Sequence, residues 1–276
     1  MSVSTQIQDA IERPPPPARP MTTARIAGIA LLALWTALGL GLVIYLANRW
    51  NPELFSRFAP AYMRGLWVTV QLVVVAIILG ALLSLPIAWM RMSKNRILGA
   101  IAYGYVYFFR GTPLLAQTFL IYYGFGQYRP QLEAVGLWWL FREAWWCGVI
   151  AFSLNTAAYQ AEILRGAIQS VPKGQWEGAA ALGLSKWQTL RKIVTPQALI
   201  VALRPYANEV ILMIKGSAVI SIITVYDLMG ETRRAYSRTF DFQAYIWAAV
   251  IYLAIVEALR RIIDWVELKI TRHLVR

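Results

Sequence analysis

The fold class follows from an uncharged stretch of 26 residues, GLWVTVQLVVVAIILGALLSLPIAWM, at positions 65–90. An apolar helix needs about 20 residues to cross the hydrocarbon core of a bilayer, so this stretch is long enough to span a membrane. Two more uncharged runs lie on either side of it, at 26–47 and 144–161. The sequence therefore predicts a membrane protein, in agreement with a hydrophobic content of 58%.

Three further apolar stretches, at about 97–125, 196–222 and 243–266, are interrupted by a few charged residues. Together with the uncharged runs they predict an all-α membrane protein with six transmembrane helices. The first helix is too long for a cleaved signal peptide and lacks a small-residue cleavage site, although an uncleaved signal anchor would give the same topology.

Composition divides the chain into three predicted parts. Residues 1–24 are rich in proline and are expected to form an extended cytoplasmic tail. Residues 25–60 are expected to hold an additional N-terminal transmembrane helix and a periplasmic linker, and residues 61–276 a five-helix core. No internal repeat and no second, soluble domain is visible.

The positive charges predict the orientation of the helices. With residue 1 in the cytoplasm, 16 Lys and Arg fall in cytoplasmic segments and eight in segments on the other side. This bias favours a cytoplasmic location for both termini. The net charge of +13 is therefore a topology signal. Because no basic stripe with interleaved aromatic residues accompanies it, nucleic acid is not expected as a partner.

The scarcity of cysteine and histidine excludes several kinds of chemistry. Cys147 and His273 are the only residues of their types, so an intrachain disulfide, a His-based metal site and a Ser-His-Asp triad are excluded. No stretch fits the phosphate-binding loop that ends in Gly-Lys-Ser or Gly-Lys-Thr. We therefore expect no enzyme activity, no metal and no cofactor in this chain.

A segment with the composition of a soluble helix lies between two apolar stretches and reads GQWEGAAALGLSKWQTLRKIVTPQA at 174–198. Its alanines favour a helix, and Gly183 is a natural helix end. Ser185 and Gln188 have the spacing of a capping box that begins a second short helix. Pro196 ends that helix or opens the next. The pattern predicts helix, sharp turn and helix, with a surface that fits another protein's groove; an ordinary amphipathic connector is the alternative.

A second motif, Arg110-Gly111-Thr112-Pro113, interrupts the third apolar stretch. A charge at mid-bilayer depth costs about 2.5–3.5 kcal/mol, so Arg110 should face protein or water. Gly111 and Pro113 break regular hydrogen bonding, which is tolerated beside a cavity or a protein neighbour. The motif predicts a broken helix next to a polar chamber, unless Arg110 pairs with an acid and simply locks the bundle.

Isolated acids supply further candidates. Glu209, beside Asn208 in the fifth span, would attract a cationic group in a medium of low dielectric. The alternative is an ion pair between Glu209 and Arg204, Lys215 or Arg110.

Two other acidic positions fall near the ends of the predicted spans. Glu162 is spaced to pair with Arg165 on one helix face, for which we expect a gate or structural role. Asp227 and Glu231, with Arg233 and Arg234, are expected in a solvated loop at the outer mouth, where they could also meet a cation or a delivering protein.

These motifs together resemble the permease subunits of polar amino acid ABC importers, most of all the M-type subunit of histidine/lysine/arginine/ornithine and opine systems. The resemblance covers about residues 60–270. The matching stretches are 109–115 with Gln117, 153–159, 162–163, 166–168, 170–172 and 206–213. The segment at 173–196 is similar to the family's EAA loop, which docks on a cytoplasmic ATPase. The docking residues implied are Glu177, Ala179, Ala180, Gly183, Leu184, Ile193 and Pro196. The substrate-chamber residues implied are Glu209, Asn208, Arg110 and Thr112, with Pro113 in a gate or structural role beside Glu162 and Asp227.

The resemblance also implies partners and a location. They are an ABC ATPase dimer that binds ATP and Mg, a related second permease subunit (a heterodimer is favoured over a homodimer), a periplasmic binding protein, an amino acid substrate and the bacterial inner membrane. The chain departs from the family in its added first helix, in Gly178 and at residues 215–218.

Two other classes of function remain as alternatives from the sequence. Ion-driven secondary transporters usually contain repeated halves with paired broken helices, and a single break without a repeat is found here. An ion channel or a membrane scaffold is the other alternative, and no selectivity-filter sequence is visible.

Overall fold

A computed structural model describes residues 22–48 and 50–271, which are helical apart from short connections and contain no strand. Most of the predicted proline-rich tail, and His273 near the other end, lie outside the described residues. By its internal contacts the chain divides into two compact units, residues 1–51 and residues 52–276.

The first unit holds helix α1, Thr23–Asn48, which has no buried residue along its 26 residues. Its large apolar side chains are exposed all round, as Trp35 illustrates with an exposed fraction of 69%. A helix that is apolar on every face is stable in lipid, because exposure of so much apolar surface to water would be unfavourable.

The second unit contains eleven helices within the described residues. In chain order they are α2 (Pro52–Met92), α3 (Arg96–Gly111), α4 (Leu114–Phe119), α5 (Arg129–Ala134), α6 (Trp138–Phe141), α7 (Ala144–Gln169), α8 (Lys173–Ala181), α9 (Lys186–Thr189), α10 (Thr195–Gly216), α11 (Leu228–Thr239) and α12 (Gln243–Thr271). π-helical turns at Leu120–Gly124 and Leu190–Val194 extend α4 and join α9 to α10, and a 3₁₀ turn at Ser217–Ile223 follows α10.

Three helical stretches of the described chain are long and apolar enough to cross a membrane, judged by length and composition: α1, Ser56–Met92 and Lys186–Ile223. The other three predicted spans correspond to the broken pair α3 and α4, to α7 and to α12. The protein is therefore an all-α membrane protein, as predicted.

Helix α2 begins at Pro52, ahead of the core boundary predicted at residue 61, and its helical backbone continues through Pro86. Its early start has a packing reason. Leu54 and Phe58 are buried in a cluster with Leu228 and Ala235 of α11. The first turns of α2 therefore belong to the folded core.

Helix α7 lies at the centre of this unit and packs along α2. Phe152 and Val149 of α7 share a buried cluster with Leu72 of α2. Glycine permits the close approach: a side chain at Gly80 would collide with Thr156, and one at Gly148 would collide with Ile220. Because α7 is enclosed on several sides, its polar residues must find partners inside the protein.

Candidate functional site

The helix break predicted from the sequence lies between α3, which ends at Gly111, and α4, which begins at Leu114. Pro113 has no N–H, so the carbonyl of Phe109 loses the donor that a regular helix would supply four residues later. Two side-chain amides take its place. Gln117 Nε2 and Asn155 Nδ2 each donate to Phe109 O at 2.9 Å. The break is thus built into the fold and satisfied by neighbours.

Arg110 sits at this break with an exposed side chain. Its guanidinium lies over the ring of Tyr159, with Cζ 5.1 Å from the ring centroid. Among the described residues it makes no ion pair within 4 Å. The alternative in which Arg110 locks the bundle by pairing with an acid is therefore not what the structure has. Thr112 is held within the break, where its hydroxyl accepts from Gln117 Nε2 at 2.7 Å.

Two cavities meet at Arg110, with volumes of about 340 Å³ and 430 Å³. Arg110, Tyr159 and Glu162 line both of them. Arg91, Tyr103 and Gly111 line the first cavity, and Ala167, Val201 and Pro205 are among the residues that line the second. Since Tyr159 and Glu162 lie on one face of α7, this face forms a wall of the polar space next to the break.

Glu162 makes two ion pairs. Its Oε2 lies 2.6 Å from Arg165 Nη2, the partner expected from the sequence, and its Oε1 lies 2.9 Å from Arg91 Nε. The pairing with Arg91 was missed, because the two residues are 71 positions apart and no local pattern links them. The carboxylate therefore ties the end of α2 to α7, and this cluster retains one net positive charge.

Glu209 is buried between α10 and α7, with an exposed fraction of 5%. Its Oε1 accepts a hydrogen bond from Thr156 Oγ1 at 2.8 Å. The alternative ion pairs are not formed: within the described chain no guanidinium or ammonium lies within 4 Å of it, and Arg204 instead pairs with Glu267 at 2.7 Å.

The structure does not bring all the predicted chamber residues to one surface. Neither Glu209 nor Asn208 lines the two cavities at Arg110, and the side chain of Asn208 is exposed on α10. Arg110 and Thr112 are together at the break. Tyr159 and Arg91 are cavity residues that were not predicted from the sequence, although Tyr159 is four residues from Asn155 on the face of α7 that meets the break.

The segment at 173–196 has the predicted helix, turn and helix. Gly183 adopts a φ of +73°, and the N–H groups of Gly183 and Leu184 donate to Ala180 O and Ala179 O, which is a Schellman end. The capping box of Ser185 and Gln188 is formed. Pro196 opens α10, and the second short helix continues into α10 through the π-helical turn without ending.

Exposure separates the predicted docking residues into three groups. Glu177, Ala180, Gly183 and Pro196 are exposed, Leu184 and Ile193 are half-buried, and Ala179 is buried. The most exposed apolar side chains of the segment are two that were not predicted, Leu182 at 80% and Trp187 at 68%. Exposed apolar side chains in a cluster are typical of protein interfaces.

The expectation of a solvated loop at Asp227 and Glu231 is wrong. Asp227 has no exposed surface and Glu231 has 6%, because the chain folds back here and Leu228 N–H donates to Thr69 Oγ1 of α2 at 3.1 Å. Asp227 Oδ1 accepts from Gly230 N–H at 2.8 Å and caps α11. In this connection between the 3₁₀ turn and α11, burial raises the pKa of Asp227 to about 6.

Arg233 and Arg234 are exposed and line a third cavity of about 430 Å³ beside Tyr226 and Ser237. Arg234 Nη1 lies 3.8 Å from Glu231 Oε2. No group of three or more His, Cys, Asp or Glu residues within the described ranges is arranged to hold a metal ion.

Comparisons with known proteins identify relatives of this architecture. Residues 76–272 match the family described as binding-protein-dependent transport system inner membrane component. The nopaline transport system permease protein NocM of Agrobacterium fabrum (strain C58) is 44% identical over 223 residues, which are 80% of this chain and 92% of that protein. The arginine ABC transporter permease protein ArtM of Escherichia coli (strain K12) is 39% identical over 212 residues, which are 77% of this chain and 95% of that protein.

Solved structures give the same result for the fold. A crystal structure of an amino acid ABC transporter with histidines superposes with a TM-score of 0.70 at 34% identity, covering 79% of this chain and 98% of the other. The inward-facing methionine transporter MetNI superposes with a TM-score of 0.64 at 19% identity, covering 76% and 96%. The second likeness concerns the fold alone.

Proposed function

This chain belongs to the family of binding-protein-dependent transport system inner membrane components, and we propose that the cargo it carries is a cationic amino acid or a related opine. As a permease of this family it works by transport and not by changing a bond in its substrate. Membership of this family decides against the three alternative functions, which were an ion-driven secondary transporter, an ion channel and a membrane scaffold.

The observation that carries the cargo proposal is a pair of opposite charges without ion pairs of their own. Arg110 and Glu209 both contact α7, Arg110 over the ring of Tyr159 and Glu209 through Thr156, and within the described residues neither has an oppositely charged side chain within 4 Å. Charges held in a membrane protein without a partner are costly and mark substrate pathways. A cationic amino acid supplies both complements, a carboxylate for the guanidinium of Arg110 and an ammonium or guanidinium for Glu209.

The remaining chamber residues have supporting roles in this proposal. Thr112 offers a hydroxyl at the break beside Arg110, and Asn208 offers an exposed amide next to Glu209 on α10, outside the two cavities. Pro113 keeps the helix open at the break. Tyr159 supplies an aromatic face next to Arg110. Glu162 acts as a gate that holds α2 to α7 at one end of the cavity, and Asp227 holds the segment at the other end of the core.

We further propose that residues 173–196 dock on an ABC ATPase dimer, which binds the ATP and Mg that this chain does not. Exposed Leu182 and Trp187 support this, since apolar side chains of that size are stabilised by a partner's groove. Relatives of the M type favour a heterodimer with a related second permease subunit, and the family's name supports a separate binding protein that delivers the substrate.

Because α2 begins at Pro52 and its first turns pack in the core, the proposed organisation places residues 52–276 in the transport core instead of the predicted 61–276, residues 25–51 in an additional helix with its connection, and residues 1–24 in a cytoplasmic tail. The twofold excess of Lys and Arg supports cytoplasmic termini in a bacterial inner membrane. Closure of the ATPases would then move α8 and, through α7 and α10, change which side of the membrane the cavity faces. Transport follows from different substrate affinities in the two states.

Substitution of the two charges tests the cargo. Glu209→Gln keeps an acceptor for Thr156, so uptake of a cationic amino acid should fall about tenfold or more while uptake of a neutral one changes little. Arg110→Gln should weaken competition by arginine but not by its decarboxylated analogue agmatine. Glu133→Gln provides a control, since it removes an exposed ion pair to Arg129 on α5, and neither residue lines the cavities at Arg110. Equal losses for cationic and neutral substrates in Glu209→Gln would overturn the assignment.

A further inference from the structure

The carbonyl of Phe109 is the backbone acceptor that the helix break leaves without a helical donor, because Pro113 has no N–H. Thr112 N–H donates to Phe108 O at 3.1 Å, so the helix is regular up to that point. The next donor in the ladder is missing. A carbonyl at membrane depth needs a replacement donor, since no water is available in the hydrocarbon region.

Two amides from different helices provide that replacement and also bind each other. Gln117 Nε2 of α4 and Asn155 Nδ2 of α7 both donate to Phe109 O, and Asn155 Nδ2 donates to Gln117 Oε1 at 2.9 Å. Gln117 is 3% exposed and Asn155 is 7% exposed. We call Gln117 and Asn155 the amide latch. It fastens the two halves of the broken helix to the middle of α7.

The latch belongs to a row of contacts on one face of α7. Asn155, Tyr159 and Glu162 stand four and then three positions apart, which is the spacing of one helix face. They hold, in order, the break, the guanidinium of Arg110 and the guanidinium of Arg91. Tyr105 Oη, about one turn before the break, adds a tie from α3 to Leu154 O at 2.6 Å.

The same helix leads directly to the docking segment. Helix α7 ends at Gln169, and α8 begins at Lys173, only four positions later. Motion of α8 therefore reaches α7 through a very short connection. Whether Arg110 follows that motion depends on what fastens the break, because a helix interrupted by Gly111 and Pro113 bends there easily.

We propose that Gln117 and Asn155 are positioning residues that make the break and Arg110 move together with α7, so that the amide latch couples the docking segment to the cavity. This inference rests on the proposed function. Without the latch, the break acts as a loose joint that absorbs the movement of α7. ATP is then hydrolysed while the charge environment of the cavity no longer changes.

A thiol probe at the break tests the latch without knowledge of the substrate. A side chain at Gly111 meets no atom within 4 Å, so Gly111→Cys is accommodated, and the native Cys147 is buried. The complex copurified with its ATPase is labelled with a maleimide, first without nucleotide and then trapped with ATP and vanadate. With the latch intact, the labelling rate should change about threefold or more between the two states, a size set by one interhelical hydrogen bond.

Two latch variants and one control are compared in this background. Asn155→Leu removes both donations from α7, and Gln117→Met removes those from α4 with little change of shape. Both should reduce the nucleotide-dependent change to less than about 1.5-fold, while ATP hydrolysis stays within about twofold of the parent. Ser153→Ala is the matched control, since Ser153 is buried on the same helix and its hydroxyl has no hydrogen-bond partner among the residues that the structure describes.

A rescue separates the latch from a general loss of packing. Pro113→Ala restores a main-chain N–H that can donate to Phe109 O, so adding it should return at least part of the nucleotide response to Asn155→Leu. Persistence of the full response in both latch variants would overturn the proposal, and so would parallel loss of labelling response and ATP hydrolysis without rescue. The proposed cargo is tested separately, by uptake in the parent complex, and its failure would leave the labelling result intact.

Discussion

The interior of the core and the docking segment at 173–196 place their side chains in opposite ways. In the interior, polar groups are buried and find partners within the chain, as the amide of Gln117 does at 3% exposure. In the docking segment, apolar groups are uncovered, as Leu182 is at 80%. Most buried polar groups of the interior thus have their partners within the chain, whereas the docking segment leaves large apolar side chains that a partner could cover.

This difference predicts two kinds of response to substitution. A change in the interior should alter the stability of the isolated chain, because it removes a contact that the chain makes with itself. A change in the docking segment should leave that stability nearly unaltered and weaken assembly with the ATPase. Four substitutions, two in each region, test the division.

The largest effect is expected at Asp227. Its raised pKa of about 6 means that the folded chain holds a proton that the unfolded chain, with a pKa near 3.8, releases. Stability should therefore fall as the pH rises from about 4 to about 6, by about 3 kcal/mol in all, and stay level above that. Asp227→Asn keeps the cap on α11 and should abolish this fall. Thermal unfolding of the isolated chain in detergent at pH 4 and pH 7 measures it.

The control for this measurement is Asp264→Asn, a substitution at an exposed carboxylate of α12. It should leave the pH dependence as it is in the parent. If the difference in stability between the parent and Asp227→Asn were the same at pH 4 and at pH 7, this prediction would be wrong. The buried carboxylate would then be stabilised by its surroundings to a greater extent than proposed.

Glu162→Gln comes next in size. It leaves the guanidinium groups of Arg91 and Arg165 close together without the shared carboxylate, at a cost of about 1–3 kcal/mol for lost charge-assisted hydrogen bonds. A lower unfolding temperature of the isolated chain is expected. Glu133→Gln, whose ion pair has exposures of 47% and 63%, should change stability by less than about 0.5 kcal/mol. Similar shifts of the unfolding temperature for Glu162→Gln and Glu133→Gln would mean that burial does not make the ion pairs of Glu162 more stabilising than that of Glu133.

In the docking segment, Gly183→Val should have the larger effect. A φ of +73° is costly for a residue with a side chain, by about 1–2 kcal/mol, so the turn between α8 and α9 is distorted. Copurification of the ATPase should fall about tenfold, while the unfolding temperature of the isolated chain should fall by only a few °C, because the strain is confined to an exposed turn. Gly178→Ala is the matched control, because a side chain there meets nothing within 4 Å and alanine favours the helix. Normal assembly of Gly183→Val would remove the docking assignment.

The smallest effect is expected for Ser185→Ala. It removes one half of the capping box, which is worth about 1 kcal/mol. Because α9 continues into α10, assembly with the ATPase should fall by less than about fivefold. A loss as large as that of Gly183→Val would show that the cap, and not the turn, fixes the docking surface.

Local signals explain which features could be predicted from the sequence. The break at Pro113, the end of α8 at Gly183 and the cap at Ser185 each depend on residues within a few positions of one another. Length and hydropathy were sufficient for the spans. The roles of Glu209, Asn208 and the docking residues stay predictions, because they concern ligands and partners.

The features that were missed depend on contacts between distant parts of the chain. Arg91 meets Glu162 across 71 positions, and Asn155 meets Gln117 across 38. Asp227 looked solvated because its neighbours in sequence are charged, yet the fold buries it against α2. Tertiary packing, which no local pattern encodes, decides all three.

The uninterrupted helical stretch Lys186–Ile223 has a mechanical consequence. Its 38 residues begin among the exposed side chains next to Gly183 and end after a membrane-spanning length, so one continuous helical path joins the docking segment to the other end of the span. Because no loop interrupts this path, a displacement at its docking end is carried along the backbone past α7 and is not lost in a flexible connection.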